Sequence, residues 1–332
     1  MSSPRRILII GTGSIGLRHA RLCKERPDLR VEVCDSRPAG LEEARKVLGE
    51  VRTWAALDAA LASKPDLVIV ATPHDTHQPI ASAAMRAGAH VLVEKPMTDT
   101  LAAARKLAAD QRETGRVLRV GFMLHFHPGM RRLKELVAGG TLGQVLQMRY
   151  SVGSYITLEN SRSRYQQSVF GAIMMDYVHG LDLGLWFTGS APAGAYARGI
   201  QAGRLELSSN PNVISVVLDH ADPLLFEIHV DYVAKPQPSC FEILGDRGWA
   251  RFDFLANRLE VGNPAKEAPE AESIPHQRDD LYREQIQGFL DAVDGKPDDL
   301  TTAEQGLRSV ATVEAVLTSL RSSRREPVAS SE

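Results

Sequence analysis

The stretch Ile7-Leu8-Ile9-Ile10-Gly11-Thr12-Gly13-Ser14-Ile15-Gly16, followed by a second apolar run that ends Val33-Cys34-Asp35, decides the reading of this chain. An apolar run of strand length leads into three spaced glycines. A helix-like segment from Ile15 to Arg26 follows, and the second strand candidate, Val31 to Cys34, closes on an acid. Each part has a separate physical task. Gly11 permits a tight turn, Gly13 lets backbone approach a pyrophosphate, and Gly16 lets helix and strand pack closely. The free N–H groups of Thr12, Ser14 and Ile15 at the helix start suit an anion. Asp35 can accept from both hydroxyls of an adenine ribose and should repel a 2′-phosphate, which favours NAD. Arg37, beyond Ser36, can pair with that phosphate and keeps NADP open.

The first third of the chain alternates apolar strand-length runs (Ile7–Ile10, Val31–Cys34, Leu67–Ala71, His90–Val93, Val117–Val120) with alanine-rich helical segments (Ala39–Leu48, Ala55–Ala62, Pro79–Ala87, Asp99–Thr114). Strands this uniformly apolar predict a parallel sheet covered on both faces. Gly49, Gly88 and Gly115 stand where helices want left-handed C-caps. Thr98 or Asp99 is placed to cap the helix after Pro96.

Near Gly121 the pattern changes. A helix at Pro128–Ala138 and a strand at Val145–Val152 precede a polar stretch at Glu159–Gln167. A helical run at Ala172–Phe187 follows, then a series of strands: Val213–Leu218, Leu224–Val233, Cys240–Leu244, Ala250–Phe254 and Leu259–Val261. Gly245 to Gly248 reads as a hairpin turn. A charged linker, Pro264 to Pro275, leads to helices at about Asp280–Val293 and Thr302–Arg321. The expected organisation is α/β plus α+β. Residues 1–122 form a doubly wound parallel sheet of Rossmann type, and residues 123–322 an α+β domain with an open, mostly antiparallel sheet. Residues 323–332 are a tail, and the last helix is free to pack back on the first domain. Ligands bind such sheets outside the carboxyl ends of the strands, so the second domain is expected to cover that edge and supply the substrate pocket.

The chain of 332 residues is 43% hydrophobic, enough for two domains with sizeable cores. Its net charge of −2 and lack of long single-sign runs argue against a nucleic-acid or membrane-surface partner. No segment is apolar for long enough to span a bilayer, and the start is too short for a secretory signal. Cys23, Cys34 and Cys240 form neither a metal-ligand spacing nor a disulfide framework. These features predict a cytoplasmic, metal-independent protein.

Further motifs carry a resemblance. Ala71-Thr72-Pro73 with His77, Glu94-Lys95-Pro96 and Asp176-Tyr177-Val178-His179 resemble the marks of the glucose–fructose oxidoreductase / inositol dehydrogenase / rhizopine catabolism (Gfo/Idh/MocA) family. So do Gly121-Phe122 with Phe126 and Pro128, Gly140 to Gly143, Glu242 to Gly245, and Tyr282, Gln285 and Phe289. The resemblance runs from Arg6 to about Arg321. It implies an NAD(P)-dependent oxidoreductase acting on a sugar, cyclitol or related polyol, assembled as a homodimer or homotetramer through its C-terminal sheet. It also makes His179 the general acid/base, Lys95 the residue orienting the reacting oxygen, and Asp176 a contact of substrate or His179.

The residue chemistry supports this independently. Oxidising a secondary alcohol needs a hydride acceptor and a group to take the hydroxyl proton. Lys95 follows a buried strand at the carboxyl edge, and a lysine in a partly dry site can relay such a proton. Asp176 and His179, three apart, share one face of a continuous helix, where a carboxylate can set an imidazole tautomer. The more usual family offset between these two positions is four, which leaves the role of Asp176 open and makes Asp182 an alternative partner for His179. Glu94, Thr72, Pro73 and His77 are expected near the nicotinamide ribose and pyrophosphate. His125, Arg162, Arg164 and Tyr165 are expected at the substrate, the arginines suiting a carboxylated or phosphorylated sugar or a nucleotide sugar. Two rival readings remain, a dinucleotide sensor without turnover and a self-recycling enzyme that keeps its cofactor.

Overall fold

The computed structural model describes residues 3–153, 155, 158, 165–203, 205, 210–220 and 224–330. The chain forms two compact units, Met1–Met123 with Gln277–Val310 and Leu124–His276 with Ala311–Ser330.

In the first unit six parallel strands, β1 (Arg5–Ile10), β2 (Leu29–Cys34), β3 (Arg52–Trp54), β4 (Leu67–Val70), β5 (His90–Glu94) and β6 (Leu118–Gly121), lie in the order β3-β2-β1-β4-β5-β6. The order reverses between β1 and β4, which makes that junction the switch point. Every residue of Ile7–Ile10 and Leu67–Val70 is buried. Side chains alternate between faces along a strand, so both faces are covered, as expected for a parallel sheet. The helix after β1, α1 (Ser14–Lys24), packs with α2 (Pro38–Leu48) and with the helix Arg278–Val293. The helix α4 (His77–Arg86), which comes after the short α3 (Leu57–Ala62), packs with α5 (Leu101–Thr114).

The division of the chain differs from that expected at residues 122 and 123. Residues 277–310 belong to the first unit, where the two-residue strand Thr301–Thr302 adds antiparallel to β6. Strand β3 was not read from the sequence, because three residues carry too little periodicity. The cap of α5 is also corrected. Neither Thr98 nor Asp99 serves; the Thr100 hydroxyl accepts from the Ala103 N–H at 3.3 Å.

In the second unit nine strands form one sheet. These are β7 (Val145–Gly153), β8 (Gly194–Ile200), β9 (Val213–Asp219), β10 (Leu225–Asp231), β11 (Ser239–Gly245), β12 (Trp249–Asp253), β13 (Arg258–Gly262), β14 (Glu270–Ser273) and, after the β15 pair of the first unit (Thr301–Thr302), β16 (Glu326–Pro327). The order is β14-β13-β12-β11-β7-β10-β9-β8-β16; only β7 and β10 run parallel. Strands β8, β14 and β16 were missed: β14 lies inside the expected linker, where its four exposed residues give no apolar alternation, and β16 lies within residues 323–332, expected as a tail, where it pairs with β8. The Gly245–Gly248 turn joins β11 to β12 as expected, with the Gly245 N–H on the Gly248 carbonyl at 2.7 Å.

One face of this sheet is apolar and buried, with Tyr150, Phe226, Ile228, Phe241 and Phe252 among its residues. The helix Val178–Thr188 lies directly on it. A Cβ on Gly180 would collide with the ring of Tyr150, and one on Gly184 with the ring of Phe226. Spaced four apart, the two glycines form the flat stripe that lets the helix sit this close.

Candidate functional site

In the first unit the glycine-rich loop is built as its residue types require. Gly11 has φ +94°, a value glycine tolerates at no cost, and an added Cβ would stand 2.6 Å from the Ala71 carbonyl oxygen. A Cβ on Gly16 would run into the Gly11 carbonyl. Nothing lies within 4 Å of the corresponding point on Gly13. Gly13 is also the N-cap of α1 and offers no side-chain cap, so it leaves the first N–H groups of that helix, Ser14 and Ile15 among them, without a capping side chain of its own. An open approach at the one glycine expected to meet a pyrophosphate, together with an uncapped helix N-terminus, fits a dinucleotide.

Asp35 follows β2 and is buried. Its Oδ2 accepts from the Thr12 N–H (2.8 Å), the Thr12 hydroxyl (2.6 Å) and Arg37 Nη2 (2.9 Å), and its Oδ1 from the Arg37 N–H (2.8 Å) and Nε (3.1 Å). Burial alone would raise its pKa. The hydrogen bonds from Arg37 and Thr12 outweigh it and hold the carboxyl well below the usual range. Ser36 is exposed beside it.

At the carboxyl ends of β4 and β5, His77 bridges two loops. Its Nε2 lies 2.9 Å from the Thr72 carbonyl oxygen and its Nδ1 3.0 Å from that of Pro96. Desolvation lowers the pKa of this buried ring; a neutral imidazole carries a single N–H, so it donates to one of these two carbonyls at a time. Glu94 is buried, with Oε1 2.7 Å from His19 Nε2 and Oε2 3.3 Å from the Lys95 N–H. Burial pushes its carboxyl up, but the His19 hydrogen bond and neighbouring positive charge prevail, and the net direction is down. Lys95 is half-buried.

In the second unit the structure corrects the reading of the Asp-Tyr-Val-His segment. The helix is not continuous. It stops at Asp176 (Ala172–Asp176), Tyr177 leaves the helical region at φ −104°, ψ 23°, and a new helix begins at Val178. Asp176 and His179 thus do not share a face of one helix. Asp176 is instead an acceptor, taking hydrogen bonds from the hydroxyls of Tyr165 and Tyr232 and from Gln166 Nε2 at 3.1 Å. Burial, with the Asp176 charge next, pushes both phenols far above their ordinary pKa, so both remain donors. Asp182 makes a contact that sequence did not suggest, its Oδ2 2.8 Å from His125 Nε2. His125 itself is not a loop residue. It is 3% exposed and stacks on Trp186, with ring centroids 4.7 Å apart, so it offers little surface to a ligand. Arg162 and Arg164 lie outside the described residues. His19, Tyr232 and Gln166 were missed; no local pattern marks them, since each bond joins distant parts of the chain.

A parallel sheet in this order, with a glycine cradle at its switch point, defines a dinucleotide-binding domain of Rossmann type. Residues 5–122 match the model of an oxidoreductase family with an NAD-binding Rossmann fold, and residues 130–251 match the GFO/IDH/MocA C-terminal domain; the chain belongs to the Gfo/Idh/MocA family of oxidoreductases. Relatives include the 1,5-anhydro-D-fructose reductase of Ensifer adhaerens, 28% identical over 76% of this chain and 76% of that one. The UDP-N-acetylglucosamine 3-dehydrogenase of Acidithiobacillus ferrooxidans is 27% identical over 86% and 87%. Among solved structures, GenD2 from gentamicin A biosynthesis, in complex with NAD, superposes with a TM-score of 0.85 at 25% identity over 99% and 98% of the two chains. Among the described residues, no helix is long and apolar enough to cross a membrane.

Proposed function

We propose that this protein is an NAD(P)-dependent dehydrogenase of a sugar, a cyclitol or a sugar derivative, interconverting a secondary hydroxyl and a keto carbon. The nicotinamide, when bound, accepts or returns the hydride. The observation that carries the reading is the joint presence, on one sheet, of the open Gly13 cradle and of Lys95 at the carboxyl end of β5. Lys95 orients the reacting oxygen, and His179 takes and returns the hydroxyl proton. Asp176, with two phenols and an amide on its carboxylate, holds Tyr165 and Tyr232 in place rather than moving protons. Relatives named for activity on 1,5-anhydrofructose, UDP-N-acetylglucosamine and inositol support a carbohydrate-type substrate. Asp35 favours NAD, while Arg37 keeps NADP available.

The same reading makes the protein a cytoplasmic homo-oligomer with the outer sheet face as its interface. That face carries a cross-strand row Glu227, Arg149, Glu242, Arg251, Glu260, bordered by exposed Tyr196, Val217, Leu225, Leu244 and Trp249. A row of alternating charge is complementary to a two-fold copy whose axis falls between two of these strands, so that each Glu meets an Arg. A panel of sugars, inositols and uronic acids with NAD and with NADP, followed at the reduced-nicotinamide absorbance, tests the activity. Turnover with at least one member supports it. Product without net absorbance change favours the self-recycling alternative, and binding without product the sensor.

A further inference from the structure

Strand β5 lies two places from β1 in the sheet, yet a side chain of the helix that follows β1 reaches it. His19 of α1 is fully buried, with Nε2 2.7 Å from Oε1 of Glu94 and its ring edge-on to Tyr282 at 5.3 Å. The Nδ1 of His19 has no hydrogen-bond partner among the described residues, so the Glu94 bond is the polar contact that orients this imidazole. The second oxygen of Glu94 faces the Lys95 N–H. The carboxylate is therefore gripped from two sides, once by the helix whose N-terminus faces the phosphate cradle and once by the backbone of the proposed catalytic lysine.

The position of Glu94 gives this grip a meaning. In a sheet of this order the two halves of a dinucleotide lie on either side of the switch point. Asp35, at the end of β2, marks the adenine side. Glu94 and Lys95, at the end of β5, stand on the other. We propose that His19 is a positioning residue for the nicotinamide half of the site: by donating from Nε2 it holds the Glu94 carboxylate, and the Glu94–Lys95 peptide with it, in the orientation that binds the nicotinamide ribose. This rests on the dinucleotide reading above. Around Glu94, Lys95 contributes positive charge, Tyr282 contributes bulk and a buried phenol, and Gln285 is fully buried with both amide atoms unpartnered among the described residues. Gly121 leaves the room for this arrangement, since a Cβ there would stand 3.1 Å from both Gln285 Nε2 and Glu94 Oε1.

The test compares calorimetric binding of NADH with that of ADP, which lacks the nicotinamide and its ribose, in wild type, His19→Ala and His19→Gln. A charge-assisted bond of this kind predicts that His19→Ala weakens NADH about tenfold or more while ADP is unchanged, and that His19→Gln, which keeps an N–H donor, recovers most of the loss. Carbon-13 NMR of the glutamate carboxyls, with Glu94 assigned by Glu94→Gln, should show the Glu94 carboxyl titrating higher in His19→Ala. Should His19→Ala fail to melt cooperatively, Glu94→Gln carries the comparison, and must lose NADH but not ADP. Equal loss of both probes, no loss of either, or a His19→Gln protein as weak as His19→Ala would overturn the proposal alone. A wild-type protein that binds neither probe would overturn the dinucleotide reading and this one together.

Discussion

The guanidinium of Arg37 lies flat across the carboxylate of Asp35, with Nη2 2.9 Å from Oδ2 and Nε 3.1 Å from Oδ1. The residue that repels a 2′-phosphate and the residue that could bind one are thus paired with each other. Asp35 has a second task as well, since its Oδ2 also holds the Thr12 N–H and hydroxyl and so shapes the cradle from below.

On the proposed reading, this pairing governs the choice between NAD and NADP. Asp35→Ala should weaken NAD more than NADP, and Arg37→Ala should weaken NADP by about tenfold while sparing NAD, in line with a charge-assisted contact. Calorimetric titration of the two variants checks both; equal loss of NAD and NADP in Asp35→Ala would remove that carboxylate from the ribose. The depressed pKa of Asp35 gives a pH dependence with a definite sign. A carboxyl lower in the folded state than in the unfolded chain stabilises above its unfolded pKa, about 4, and that contribution is lost as pH falls below it. Asp35→Asn should accordingly show a smaller acid-induced loss of melting temperature below about pH 4.

Turnover should separate from cofactor binding at the two proposed catalytic residues. Lys95→Ala should abolish activity and leave dinucleotide affinity largely intact; a binding defect instead would make Lys95 a cofactor residue. His179→Ala should lower the rate roughly a hundredfold or more if it is the general acid/base. A pH–rate profile identical to that of wild type would take the proton away from His179.

The Asp176 acceptor predicts an alkaline transition. Tyr165 and Tyr232 are both raised in pKa, so the folded state keeps phenolic protons that the unfolded chain releases near pH 10. Stability should therefore fall as pH rises above about 10. Tyr232→Phe removes one donor and should cost about 1 kcal/mol near neutrality while making the alkaline fall shallower. Urea unfolding at neutral and alkaline pH measures both, and an unchanged alkaline slope would exclude Tyr232 as its source.

Gly180 tests how the helix bearing His179 is seated. Because an added Cβ meets the Tyr150 ring, Gly180→Ala should destabilise by about 1–3 kcal/mol despite the higher helix propensity of alanine. Gly180→Ala combined with Tyr150→Leu should recover part of the loss. Stability at wild-type level in the single variant would mean the helix can lift off the sheet freely.

Where reading from sequence succeeded, the signal was local. The apolar runs at Ile7–Ile10 and Leu67–Val70 need no distant partner to declare themselves as strands buried on both faces, and Gly11, Gly13 and Gly16 carry their backbone requirements with them. Short or polar strands such as Arg52–Trp54 and Glu270–Ser273 lack that periodicity and exist because a neighbour pairs with them. The break at Tyr177 was invisible for a related reason. Tyrosine is an acceptable helix residue, and its departure from helical geometry coincides with Asp176 being claimed by Tyr165 and Tyr232.

The sequence alone determined the parallel order of the first unit, the phosphate cradle and the acid that follows it, because sterics and periodicity act between residues near one another in the chain. Tertiary structure decided which polar groups are partners. Asp35 was taken by Thr12, Glu94 by His19 and Asp176 by two tyrosines. A hydrogen bond is short and directional, and a buried carboxylate must find donors wherever the fold brings them within about 3 Å; that distance exists only once the chain has closed on itself.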